Sequence, residues 1–145
     1  MMTNSTTPAL EITRHFAASP ERVFECFQDP SLLREWAAPD EHVNETVEQD
    51  FVVGGRYRRE MRFPDGSQHV LSGEYHEITP HSRLVYTYHF ETLPFPPTRV
   101  EISLAPGASG GTDLHLVHSG FVDADFAAGH DAGWHQCFAK LDRVS

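Results

Sequence analysis

The stretch Asp123-Ala-Asp125-Phe126-Ala-Ala-Gly129-His130-Asp-Ala-Gly133-Trp134-His-Gln-Cys137-Phe138-Ala-Lys-Leu141-Asp-Arg-Val144 dictates how the rest of the chain must be arranged. Phe126, His130, Trp134, Cys137 with Phe138, and Leu141 recur every three or four residues, which predicts a helix over 123–144 with one apolar face. Asp123 and Asp125 place negative charge at its N-terminal end, where the helix dipole favours it. Gly129 and Gly133 interrupt it, each costing about 1 kcal/mol relative to Ala, so its backbone is expected to pass close to something. A lone helix with an apolar stripe requires a surface to bury it against.

That surface is written in the preceding residues. Leu10, Ile12 and Phe16 outline a first strand over 10–16. From Thr46 the pattern alternates and predicts strands over 46–53, 56–63, 69–78, 83–91, 98–105 and 112–119. Turn residues separate them: Gly54-Gly55, Pro64-Asp65-Gly66, Pro80-His81-Ser82, and Gly107 to Gly111. Asp65-Gly66 between two alternating runs is a hairpin signal, and short turns throughout imply an antiparallel meander. The proline-rich connection Thr92 to Thr98 cannot join the ladder and offers Phe95 as an apolar lip. Between strand 1 and the meander, Ser19-Pro20-Glu21 and Asp29-Pro30 are two N-cap-plus-proline helix starts, carrying Val23, Phe24, Phe27 and then Leu32, Leu33, Trp36. The expected class is α+β: a seven-stranded antiparallel sheet, two short helices after strand 1, and one long C-terminal helix covering a face of the sheet. Residues 1–8 are expected to be a loose tail and 9–145 a single domain.

The chain has 145 residues, enough for one domain, and 21 acidic against 11 basic residues give a net charge of −10. That balance argues against nucleic acid and against an anionic membrane as partners. No apolar run reaches the roughly 18–20 residues of a membrane span. The N-terminus lacks the basic start and apolar core of a secretory signal. Cys26 and Cys137 are expected to be reduced and buried, in a cytoplasmic protein.

Little in the sequence points to chemistry. His115 and His118 are three apart on a strand and point to opposite faces, and His130 and His135 are five apart on a helix, so neither pair chelates one ion. No nucleophile elbow, zinc-protease, P-loop or dinucleotide motif occurs. Gly54-Gly55 precedes a strand and is no phosphate cradle. Asp40 to Glu45 reads as a solvated loop. No catalytic residue, metal ligand or cofactor is therefore assigned. Arg56, Arg58 and Arg62 share an outward face of their strand, whereas Arg59 alternates with Tyr57, Met61 and Phe63 and so points inward. The same parity puts His118 with Leu114 and Leu116.

The order and spacing of these residues resemble a known family. The match runs through Arg14-His15-Phe16, Ser19-Pro20-Glu21-Arg22-Val23-Phe24, Asp29-Pro30 and Leu33-x-x-Trp36. It continues through Val53-Gly54-Gly55-x-Tyr57, Met61 before Pro64-Asp65-Gly66, Gly73-x-Tyr75-x-Glu77-Ile78 and Arg83-Leu84-Val85-Tyr86-Thr87. Gly111-Thr112-x-Leu114, His118-x-Gly120-Phe121 and Gly133-Trp134 complete it. Over about residues 9–142 the chain resembles the homologues of the heat shock protein 90 ATPase activator, within the START-like (SRPBCC) superfamily that shares a helix-grip fold with the birch pollen allergen. The resemblance implies a curved sheet gripping the last helix around a cavity. Relatives include hydrophobic-ligand carriers, polyketide cyclases and a co-chaperone domain. Two departures stand out: relatives often run a turn or two beyond the position where this chain stops, and the sequence shows no domain like the one that precedes this one in the eukaryotic activator. The second weakens transfer of the co-chaperone role.

The leading reading is a small binding protein, monomer or homodimer. Its internal cavity would hold a hydrophobic small molecule, apolar or aromatic and with an acidic group as one option. The expected lining is Trp36, Tyr57, Arg59, Met61, Tyr75, Tyr86, Tyr88, His118, Trp134 and Phe138. The alternatives are a cyclase- or hydratase-type enzyme using the same cavity, with His118 or a carboxylate moving protons, and a chaperone-associated interaction module, which would need an exposed apolar patch.

Overall fold

The computed structural model describes residues 8–145; of the expected tail, residues 1–7 lie outside the described residues. In chain order the elements are β1 (Ala9–Phe16), α1 (Pro20–Gln28), α2 (Pro30–Trp36), β2 (Val43–Gln49), β3 (Arg56–Arg62), β4 (Gln68–Thr79), β5 (Arg83–Phe90), β6 (Thr98–Pro106), β7 (Thr112–Ser119) and α3 (Ala124–Val144). The two cap signals act as read: Ser19 Oγ accepts from Arg22 N at 3.2 Å and Asp29 Oδ1 from Ser31 N at 2.9 Å. Asp123, expected there for its charge alone, also caps α3, its Oδ1 accepting from Phe126 N at 2.7 Å. Asp29 also ends α1, its N–H donating to Glu25 O, so one residue makes the break between the two short helices.

The seven strands form one antiparallel sheet in the order β1-β7-β6-β5-β4-β3-β2. β2 to β7 follow one another as a meander, and β1 returns to the far side of β7, so α1 and α2 carry the chain between the two sheet edges. Register shifts between Asn44 and Thr46 and between Tyr75 and Glu77 add local bends to the curved sheet. At the Asp65-Gly66 hairpin Gly66 has φ +87°, a conformation that a side chain would strain. Gly73 serves differently: a Cβ there would lie 1.9 Å from Thr87 O and 2.6 Å from the Tyr57 ring, so only glycine lets β4 approach both.

Alternation sorts the faces. In β3, Tyr57, Arg59 and Met61 are buried, while Arg56, Arg58 and Arg62 meet Glu74, Glu60 and Glu45 at 3.9, 3.4 and 2.7 Å on the outside. Leu114, Leu116 and His118 of β7 face inward, as do Val100 and Ile102 of β6 and Leu10 and Ile12 of β1. They meet Trp134, Phe138 and Leu141 of α3. Both cysteines are free and buried.

Strand β2 corrects the sequence reading. It was expected over 46–53 after a solvated loop, but it runs Val43–Gln49. Val43 and Asn44 join the ladder because Arg62 and Met61 lie opposite them. Residues 50–55 turn instead: Val52 N donates to Asp50 O and Gly55 N to Val52 O, leaving Val52 and Val53 exposed.

Candidate functional site

Between α3 and the inner face of β3 and β5 lies a cavity of about 380 Å3. Arg59, Met61 and Phe63 line it from β3 and the residue after it; Tyr86, Tyr88 and Phe90 line it from β5. Trp36 and Pro39 contribute from α2 and the segment beyond it. Phe126, Gly129, His130, Gly133, Trp134 and Cys137 contribute from α3, and Leu93 from the proline-rich connection. The two α3 glycines divide the roles expected of them. A Cβ at Gly133 would meet Pro39 Cγ at 3.3 Å, whereas one at Gly129 would meet nothing within 4 Å. Pro39 is held there by Lys140, whose Nζ donates to Ala38 O at 2.8 Å and Pro39 O at 3.1 Å. Phe95 stacks on Phe126 at 3.9 Å between centroids, making the connection a lip of the cavity.

Of the ten residues expected at the site, Trp36, Arg59, Met61, Tyr86, Tyr88 and Trp134 line the cavity. Tyr57, Tyr75, His118 and Phe138 face inward as expected but stand behind its wall. Tyr57 donates its hydroxyl to Thr87 O at 2.7 Å and Tyr75 donates to Gln49 Oε1 at 2.9 Å, so both are tied to neighbouring backbone or side chains. Phe138 fills the space between Phe16, at 5.8 Å, and Trp134, at 5.3 Å. Phe63 and Phe90, absent from the expectation, share parity with Met61 and Tyr88, so period two could have found them. Phe126, His130 and Cys137 belong to the apolar stripe that the spacing predicts for α3, and they line the cavity from it. Pro39 carried no signal.

His118 is the most informative of the four. The indole N–H of Trp134 can only donate, so His118 Nδ1 accepts it at 3.0 Å and the ring proton sits on Nε2. Nε2–H donates to Thr98 Oγ at 2.7 Å, and the Thr98 hydroxyl donates to Tyr88 O at 2.9 Å. Sheet and helix are thus joined through a fully paired neutral imidazole. Burial, with a smaller effect from nearby His130, pushes its pKa down to about 2. The expected alternative in which His118 moves a substrate proton has no free ring nitrogen to use. His130, on the cavity wall, donates Nδ1–H to Phe126 O at 3.0 Å, and burial lowers its pKa too.

Arg59 is 6 % exposed and lines the cavity. Its guanidinium carbon lies 5.1 Å from the centre of the Tyr57 ring, and its buried Nε has no hydrogen-bond partner. Burial works against its charge, yet its pKa lies above the ordinary value, so the guanidinium stays protonated. Burial pushes the Cys137 thiol up to about 12 and holds the Tyr86 and Tyr88 phenols well above their usual range. A fixed cation therefore sits among neutral groups. Among the described residues no cluster of His, Cys, Asp and Glu is arranged to hold a metal ion, and no helix is long and apolar enough to cross a membrane.

Comparison with known proteins agrees with this architecture. Protein CV1439 from Chromobacterium violaceum is similar at 33 % identity, with 94 % of this chain and 95 % of that one covered and a TM-score of 0.87. The AHSA1 protein from Silicibacter pomeroyi, at 22 % identity, 94 % and 96 % coverage and TM-score 0.79, shares the fold. So does a protein of unknown function from Staphylococcus aureus, at 20 % identity, 94 % and 92 % coverage and TM-score 0.82. No curated protein matches. The profile of the activator of Hsp90 ATPase homolog 1-like proteins spans residues 17–145, nearly the whole grip and the helix inside it, and the chain belongs to that family.

Proposed function

We propose that this protein binds a small hydrophobic molecule in the cavity between α3 and the sheet. The observation that carries the reading is the cavity itself: about 380 Å3, within the roughly 300–1,000 Å3 usual for ligand sites, and walled by aromatic side chains from α2, β5 and α3 and by Phe63 just past β3. Burying an apolar surface there yields the ordinary hydrophobic gain, about 25 cal/mol per Å2. The closed hydrogen-bond chain through His118 favours binding over proton chemistry at that residue. Among the described residues the exposed large apolar side chains are Val43, Val52, Val53 and Val122, spread over the start of β2, the 50–55 turn and the approach to α3, which is a weak basis for an interaction module.

The test uses N-phenyl-1-naphthylamine, a neutral probe that fluoresces in apolar surroundings. The chain has two tryptophans, Trp36 and Trp134, and both line the cavity. The expected result is saturable one-to-one binding with energy transfer from tryptophan to the probe. Binding that never saturates, or saturates without energy transfer, would overturn the reading.

A further inference from the structure

We propose that the molecule held in the cavity is an apolar monocarboxylate, its head paired with Arg59 and its body lying along α3 toward Phe126; this rests on the cavity being a ligand site. Strand parity forces Arg59 inward, and the structure gives it no carboxylate there. Its neighbours Arg56, Arg58 and Arg62 each meet a glutamate on the outer face. The chain has 21 acidic residues, yet among the described residues none lies within ion-pair distance of Arg59.

A guanidinium cannot shed its proton, and its five N–H donors need acceptors. The Tyr57 ring under it offers one cation–π contact, which satisfies no hydrogen bond. An unpaired buried charge is among the costlier features a fold can keep. Asp125 is the carboxylate on the cavity wall, but it belongs to the first turn of α3. Arg59 lies over Tyr57, which packs on Tyr86 at 5.6 Å, whereas Phe126 beside Asp125 packs on His130 at 4.5 Å, and His130 on Tyr88 at 5.7 Å. The cation and the protein's own acid therefore lie toward opposite ends of the cavity. The space between them is bounded by Tyr88, Phe90, His130 and Trp134.

These features select the ligand class. One guanidinium with no second cation beside it matches a single planar carboxylate, which accepts two parallel N–H bonds from the fork. The aromatic walls match a hydrocarbon body. The acidic end at Asp125 disfavours a second negative group on the same molecule. Alkyl and aryl acids share this chemistry and are separated by the choice of probe.

The experiment is displacement of N-phenyl-1-naphthylamine by two matched pairs, decanoate against decanamide and 2-naphthoate against 2-naphthamide. In the native chain at least one acid should displace the probe about thirtyfold more effectively than its amide, or better, the equivalent of ~2 kcal/mol. Whichever acid wins identifies an alkyl or aryl body. In Arg59→Met the preference should vanish while the probe and the amides bind as before or more tightly. In Arg59→Lys, which keeps the charge and loses the fork, it should fall but persist. Equal displacement by acids and amides in the native chain would overturn the proposal and leave the cavity reading standing. Failure of the neutral probe to bind would overturn both. The native-chain comparison needs no variant, so it decides the matter even if Arg59→Met does not fold.

Discussion

At the scale of single residues, His118 shows how burial changes what a histidine is for. An unfolded chain takes up a proton on this ring near pH 6.5, while the folded one resists it down to about pH 2. Between those values the unfolded state binds more protons, so stability falls as pH drops through the window, by up to ~1.4 kcal/mol per pH unit. His130, whose pKa is also lowered, adds in the same direction. His118→Gln should lower stability at neutral pH, because the joint from Trp134 to Thr98 is disturbed. It should also flatten the decline between about pH 7 and pH 5, a window largely above the carboxylates' own titration. Urea unfolding of both proteins across that range measures it. Parallel slopes would mean that His118 is not the neutral, buried ring described. The inward direction of His118 and Arg59 was legible from period two alone. Their opposite circumstances were not, because partners such as Thr98 and Trp134 come from other elements.

Helix α3 presents the element scale. Its stripe and its extent agree with the spacing in the sequence, and Asp123, expected there for its charge, also caps it. The two glycines inside it look alike in one dimension, and their surroundings separate them. Gly129→Ala adds a Cβ that meets nothing and removes the entropic cost of glycine, so it should stabilise the fold by about 0.5–1 kcal/mol. Gly73→Ala in β4 should do the reverse and by more, since its Cβ would collide with the Thr87 carbonyl. Thermal melts of the two variants should therefore move in opposite directions. A destabilised Gly129→Ala would show that α3 lies closer to a neighbour at that point. Strand β2 teaches the same lesson from the other side. Local alternation favoured a start at Thr46, but the ladder begins at Val43 because Arg62 and Met61 lie opposite Val43 and Asn44.

At the scale of the whole molecule, sheet and helix hold each other through Trp134, which packs on Phe138 at 5.3 Å and donates to His118. Trp134→Ala should cost about 3–5 kcal/mol, a large share of the ~5–15 kcal/mol that stabilises a typical domain. Loss of cooperative unfolding, or a midpoint shifted to that extent, is expected in denaturant titration. An unchanged midpoint would mean that the grip does not depend on this joint. The sequence by itself determined the elements and their order apart from the bounds of β2, the caps at Ser19 and Asp29, the inward and outward sides of β3 and β7, and the stripe on α3. All of these follow from periods of 2 and 3.6 residues and from the local chemistry of Ser, Asp, Pro and Gly. Only the tertiary structure decided which inward residues became wall and which became packing. The curl of the sheet and the approach of Pro39 to Gly133 leave space beside Arg59, Tyr86 and Tyr88, and close it over Tyr57, Tyr75 and Phe138. Periodicity records the direction of a side chain. Whether that direction ends in an atom or in a cavity depends on residues far away in the chain, and the pairing of Arg59 is decided by the same distant packing.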